Sequence, residues 1–97
     1  MKYISLYHGT NKNPHDVADS PEVRAATNGA GFYLTDNKDI AKSYGKWVLE
    51  YVIPVSDVNV SLVRKLQIGA LEGLEYVCTQ SEINNIVLYT AEDIIIH

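Results

Sequence analysis

The chain has 97 residues and a mass of 10.8 kDa, room for one domain over 1–97 and none for separate cofactor and substrate halves. Hydrophobic residues make up 46% and charged residues 21% of it, an ordinary globular balance that argues against disorder and for a core burying roughly 60–65% of the unfolded surface. Eight basic against twelve acidic residues leave a net charge of −4 with no basic run, so a non-specific hold on duplex nucleic acid is not expected.

Tyr3 to Tyr7 alternates and reads as a strand, broken by His8-Gly9-Thr10. Asn11 to Asn28 is polar, carries Pro14 and Pro21, and reads as a long loop with a helical turn or two, placed to act as a lid. Phe32 to Thr35 is a second strand after Gly29-Ala30-Gly31. A short helix is expected next, capped by Asp36, with Ile40, Ala41 and Tyr44 inward and Gly45 as its closing glycine. Trp47 to Val55 is the clearest strand. Ser61 to Leu74 reads as a short helix plus turn. Tyr76–Thr79, Ile86–Tyr89 and Ile94–Ile96 read as strands. The fold class expected is α+β, a split mixed or antiparallel sheet with one or two short helices.

Cys78 stands alone, so no intrachain disulfide and no multi-cysteine zinc site is expected; beside Tyr76 and Val77 it reads as a buried thiol in a reducing compartment. His8, His15 and His97 are scattered, which gives no metal site. No apolar run approaches the roughly 20 residues that span a bilayer, and the first residues lack the apolar run of a leader, so a cytoplasmic protein is expected.

Three pieces could carry chemistry. Leu6-Tyr7-His8-Gly9-Thr10 ends a strand on an imidazole and on a backbone that no Cβ shields, open to a planar amide. Gly29-Ala30-Gly31-Phe32-Tyr33-Leu34-Thr35 leads to a helix ending Ala41-Lys42-Ser43-Tyr44. Its Gly-x-Gly lacks the third glycine of a dinucleotide fingerprint, and Tyr33 and Tyr44, taken singly, read as core aromatics. The third piece is Asn85-Ile86-Val87-Leu88-Tyr89.

Together and in chain order, these pieces resemble the ADP-ribosyltransferase superfamily, in the branch of poly(ADP-ribose) polymerases and diphtheria toxin with its His-Tyr-Glu signature. His8-Gly9-Thr10 is similar to the family's His-Gly-Ser/Thr. Residues 29–35 are similar to its Gly-x-Gly-Ile/Phe-Tyr motif, with Tyr44 eleven residues beyond Tyr33 at the place of a second tyrosine. Residues 86–94 are similar to its closing strand, turn and strand. Residues 56–84 match no motif.

The resemblance implies NAD as substrate, with no metal. Gly9 would hold the nicotinamide carboxamide, Tyr33 and Tyr44 would sandwich the ring, and His8, assisted by Thr10, would bond the adenosine ribose. His8 and Tyr33 are expected to face one cleft. The sequence departs from the family at Ala41, where polymerases place a serine, and at Asn85, which falls where the family has a glutamate. An amide can bond a ribose hydroxyl but cannot offset positive charge. Glu82 is the alternative, because Gln80-Ser81-Glu82 is similar to the toxin branch's Gln-x-Glu. In one regular strand 82 and 85 face opposite sides, so one register serves. The implied activity is mono-ADP-ribosyl transfer to a protein or other acceptor, as a small bacterial or phage effector would perform. The alternative is an impaired module of the same fold that binds NAD, ADP-ribose or a protein partner.

Overall fold

The computed structural model describes residues 2–25, 29–90 and 94–97, the side chain of Tyr89 excepted. The end of the expected lid loop, 26–28, and the expected turn within 91–93 lie outside the described residues. Among the described residues six strands form one antiparallel sheet: β1 (Tyr3–Thr10), β2 (Phe32–Thr35), β3 (Trp47–Pro54), β4 (Leu62–Ile68), β5 (Leu71–Cys78) and β6 (Ile95–Ile96), in the order β4-β5-β2-β1-β3-β6. Among the described residues three α-helices accompany it, α1 (Pro14–Asp19), α2 (Lys38–Lys42) and α3 (Gln80–Thr90), with a 3-10 turn at Val55–Asp57. The α+β class is as expected. No described helix is long and apolar enough to cross a membrane.

The sheet is nearly divided. β1 pairs with β3 along its whole length, Tyr3 opposite Pro54 to Thr10 opposite Trp47, but with β2 at one position, Tyr7 opposite Thr35. Beyond that point β1 and β2 diverge.

Alternation sorts the side chains to two faces. Leu6, Phe32, Leu34, Leu49, Tyr51, Ile53, Tyr76 and Cys78 gather on one face, where Ile83 and Ile86 of α3 complete the core. Each fully buried aliphatic side chain of this kind contributes about 1.5–3 kcal/mol. Burial, and then the charge of Glu82, pushes the Cys78 thiol up to about 12, so it stays protonated and serves packing. On the other face α2 lies across the joint. Two glycines admit it, one from each side: a Cβ on Gly9 would sit 1.9 Å from the Ala41 carbonyl oxygen, and one on Gly73 would sit 3.0 Å from Cβ of Asn37.

Several local expectations need correction. His8-Gly9-Thr10 continues β1 rather than breaking it, because all three residues pair with β3. Asn37 caps α2, its Oδ1 accepting from Asp39 N–H at 2.9 Å and Ile40 N–H at 3.3 Å; Asp36 instead accepts from Leu74 N–H at 2.8 Å. Gly45 is not a left-handed helix stop. It is small because a Cβ there would meet the Thr10 carbonyl carbon at 2.3 Å. Residues 61–74 are not helical. They build the β4–β5 hairpin around Gly69-Ala70, with positive φ at Gly69 alone, as a glycine-first two-residue turn requires.

The largest reversal is Ile86–Tyr89, which lies in α3 and not in a strand. Thr79 and Glu82 form a capping box: Thr79 Oγ1 accepts from Glu82 N–H at 3.2 Å, and Glu82 Oε1 accepts from Thr79 N–H at 2.7 Å. Ile83, Ile86 and Thr90 then recur at helical spacing on the buried side.

Tyr51 is fully buried, yet its hydroxyl has no hydrogen-bond partner among the described residues. Such a group carries a desolvation cost of about 1–3 kcal/mol. Tyr51→Phe keeps the ring and removes the cost, so it is expected to raise the urea midpoint; a lower midpoint would mean that the hydroxyl is bonded in solution.

Candidate active site

The divergence of β1 from β2 opens a cleft of about 630 Å³, within the range of small-ligand sites. His8, Thr10 and Phe32 line its floor, Tyr33 its rim, and residues from Lys12 to Arg24 form its wall. The loop expected to act as a lid therefore does border the cleft, with α1 as its helical part. Asn13 Oδ1 caps α1 through His15 N–H at 2.9 Å, and Pro14 sits in the first turn. Gln80 fastens the wall from behind, donating to the Pro21 carbonyl at 2.7 Å and accepting from Val23 N–H at 2.9 Å. Lys12 and Arg24 bring positive charge to the cleft, Asp16 and Glu22 negative charge.

His8 is fixed in this opening. Its Nδ1–H donates to the Tyr33 carbonyl at 2.8 Å, across the gap that the ladder leaves, and its ring stacks on Phe32 with centroids 4.0 Å apart. A carbonyl only accepts, so Nδ1 holds the proton and Nε2 is the acceptor nitrogen. Among the described residues nothing bonds Nε2, which leaves it for a ligand hydroxyl. Burial pushes the His8 pKa below its ordinary value, and the bond to Tyr33 offsets this only in part. The unfolded chain therefore takes up a proton before the native one does. The neutral imidazole is tolerated without penalty above the ordinary value of 6.5, and stability falls as pH drops through it towards the depressed native value. The melting temperature is expected to decline between pH 7.5 and 5.5, and His8→Gln is expected to flatten that decline. An unchanged slope in the variant would assign it to another group.

His8 and Tyr33 sit on neighbouring strands but do not point to one face. His8 stacks on Phe32, and Tyr33, the next residue along β2, projects to the opposite, α2 side. Tyr33 still lines the cleft from its rim and ties its hydroxyl back to the Gly29 carbonyl. Tyr44 follows α2 on the same side as Tyr33 and is about half exposed, so it is not a core aromatic. Gly9 lies beneath the Ala41 carbonyl and the Tyr44 Cβ, which supplies a packing reason for the glycine in addition to the expected carboxamide contact.

Neither carboxyl-site candidate from the sequence reaches this place. Asn85 is exposed on α3. Glu82 is used at the start of α3, where burial would raise its pKa but the bonds from Thr79 and Ser61 outweigh that and hold it below the ordinary carboxylate value. The strand register that gave both residues a site role does not exist, because the segment is a helix. Glu82→Ala should cost about 1 kcal/mol through the lost cap, measured by urea melts; a loss of NAD chemistry with stability intact would return Glu82 to the site.

Glu75 is the residue that the sequence reasoning missed. It stands on β5 opposite Thr35 and shares its face with Tyr33, two positions along β2. At 5% exposure it is the one charged residue among the described ones that is buried. Arg64, its cross-strand partner on β4, donates from Nε to Glu75 Oε1 at 2.7 Å. The Tyr44 hydroxyl lies near this pair: burial, and then the Glu75 charge, raise its pKa, and Arg64 lowers it in part. A buried glutamate in an alternating segment, Leu74-Glu75-Tyr76-Val77, was the available signal. Among the described residues no cluster of His, Cys, Asp and Glu is arranged to hold a metal ion.

Comparison with protein-family models, with curated proteins and with solved structures gave no match for this chain.

Proposed function

We propose that the protein binds NAD at the β1–β2 opening and transfers its ADP-ribose to an acceptor nucleophile, with Glu75 as the site carboxylate. The observation that carries this reading is the buried Glu75 carboxylate on the face that also holds Tyr33 and Tyr44. The near-division of the sheet at Tyr7–Thr35 agrees with the split sheet that the resemblance implies.

In this reading the adenosine and diphosphate occupy the cleft, where Lys12 and Arg24 offset phosphate charge and His8 Nε2 accepts from a ribose hydroxyl. The nicotinamide ring turns around the open end of β2 to the α2 side, between Tyr33 and Tyr44. Tyr33 belongs to both regions. His8 and the tyrosines thus share the opening rather than a face. The nicotinamide–ribose bond breaks with its electron pair leaving on nicotinamide, which departs neutral. The ribose becomes oxocarbenium-like, and the acceptor forms the new bond and gives its proton to solvent. Glu75 stabilises the positive charge and accepts from the 2′-hydroxyl. Asn85 and Glu82 take no part.

A second reading is an NAD- or ADP-ribose-binding module without turnover. It is favoured by the Arg64–Glu75 pair, which already neutralises part of the carboxylate charge. Calorimetry with NAD, together with nicotinamide release, separates the two. Binding with release is expected; binding without release selects the module, and neither one ends the NAD reading.

A further inference from the structure

We propose that Arg64 is the positioning residue for Glu75, fixing which carboxylate oxygen is offered to the ribose; this rests on the reading of the site given above. Arg64 Nε donates to Oε1 at 2.7 Å, and Nη2, buried and without a hydrogen-bond partner among the described residues, lies 2.5 Å from the same oxygen as an ion-pair contact. They do not take one oxygen each, as a fork-to-fork pair would. Among the described residues no donor bonds Oε2. One oxygen is anchored, and the other is held in direction but left unbonded.

The surroundings make this arrangement dependent on Arg64. The Glu75 side chain is 7% exposed, against 34% for Arg64, so the carboxylate is the more desolvated member, although Nη2 of the guanidinium is buried as well. A carboxylate that deep without a charged partner would swing towards solvent. That change removes the acceptor from the ribose 2′-hydroxyl and the charge from beneath the oxocarbenium. Arg64 exchanges no proton and touches no reacting atom, and it acts through Glu75 alone. It also gives the outermost strand, β4, a purpose at the site, since β4 meets the sheet only through β5.

Lysine tests the geometry. Its ammonium preserves the charge but not the planar guanidinium that sets the direction of the Nε bond to Oε1. Arg64→Gln is expected to lower kcat for nicotinamide release about 10²-fold through misplacement of Glu75, with KM for NAD held within about threefold. Arg64→Lys should recover about tenfold of that loss. In a Glu75→Gln background, Arg64→Gln should change the residual rate by less than about twofold, as two members of one unit require. Full kcat in Arg64→Gln, with kcat lost in Glu75→Gln, overturns the proposal and leaves the site reading intact. An equal Arg64 effect in both backgrounds also overturns it, because that is a structural effect. If Arg64→Gln does not fold, Arg64→Lys decides: reduced kcat at unchanged melting temperature supports the proposal, and unchanged kcat overturns it. Wild-type protein that releases no nicotinamide removes the enzyme reading itself, and the proposal with it.

Discussion

Glu75→Gln is expected to reduce nicotinamide release from NAD by about 10²–10³-fold, the usual cost of losing one electrostatic group aimed at transition-state charge. Glutamine matches glutamate in shape and still accepts a hydrogen bond from a ribose hydroxyl. It lacks the charge that offsets an oxocarbenium-like ribose. The loss should therefore fall on kcat, with NAD affinity by calorimetry changed much less. Asn85→Glu and Glu82→Ala provide the comparison. Both positions lie on α3, so neither variant should move the rate. A gain of turnover in Asn85→Glu, or its abolition in Glu82→Ala with the fold intact, would transfer the site from β5 to α3 and reject the role given to Glu75.

Gly9→Ala should have the largest effect on stability. The added methyl would lie 1.9 Å from the Ala41 carbonyl oxygen and 2.9 Å from its carbon. Both are backbone atoms, so no rotamer change relieves the contact, and α2 must lift from the sheet. Overpacking costs about 1–3 kcal/mol, and a backbone clash this close belongs at or above the top of that range. For a domain of this size that is a fall of roughly 12 °C or more in melting temperature. Gly69→Ala is the control. Nothing lies within 4 Å of its added Cβ, and only the positive φ of 60° opposes it, at about 1–2 kcal/mol. A Gly9→Ala protein that melts with the wild type would mean that α2 is not seated on β1 in solution.

The parts of the fold legible in the sequence are those where one signal dominates. Tyr3–Tyr7, Phe32–Thr35 and Trp47–Pro54 combine alternation with β-branched or aromatic residues, and all are strands. The errors come from segments that satisfy two periodicities. Leu62, Val63 and Leu66 fall at helical spacing, yet they lie on an edge strand in which only Arg64 to Ile68 alternates between half-buried and exposed positions. Ile86-Val87-Leu88-Tyr89 is a run of strand-favouring residues carried as a helix. There the capping box at Thr79 and Glu82 and the buried face of Ile83 and Ile86 outweigh propensity. This second error displaced the carboxylate, because whether two residues share a side depends on the element that carries them. His8 and Tyr33 both line the β1–β2 cleft, whereas Gly9 and Tyr44 meet beside α2 on the other face, and the side to which each points required the register. Arg64 and Glu75 were invisible as a pair until the β4–β5 hairpin aligned them.

The single ladder position between β1 and β2 has a consequence for how the molecule comes apart. It separates a half made of β4, β5 and β2 from a half made of β1, β3 and β6. Neither half is a continuous piece of chain. The polypeptide passes from one to the other after β1, after β2, after β3 and after β5, four crossings in all. Hydrogen bonds join the halves weakly, while the covalent chain interleaves them thoroughly. No single cut yields a fragment carrying one complete half, so fragment complementation across the joint is not available to this topology. The two sides are sewn together, so unfolding should proceed as one cooperative event rather than half by half.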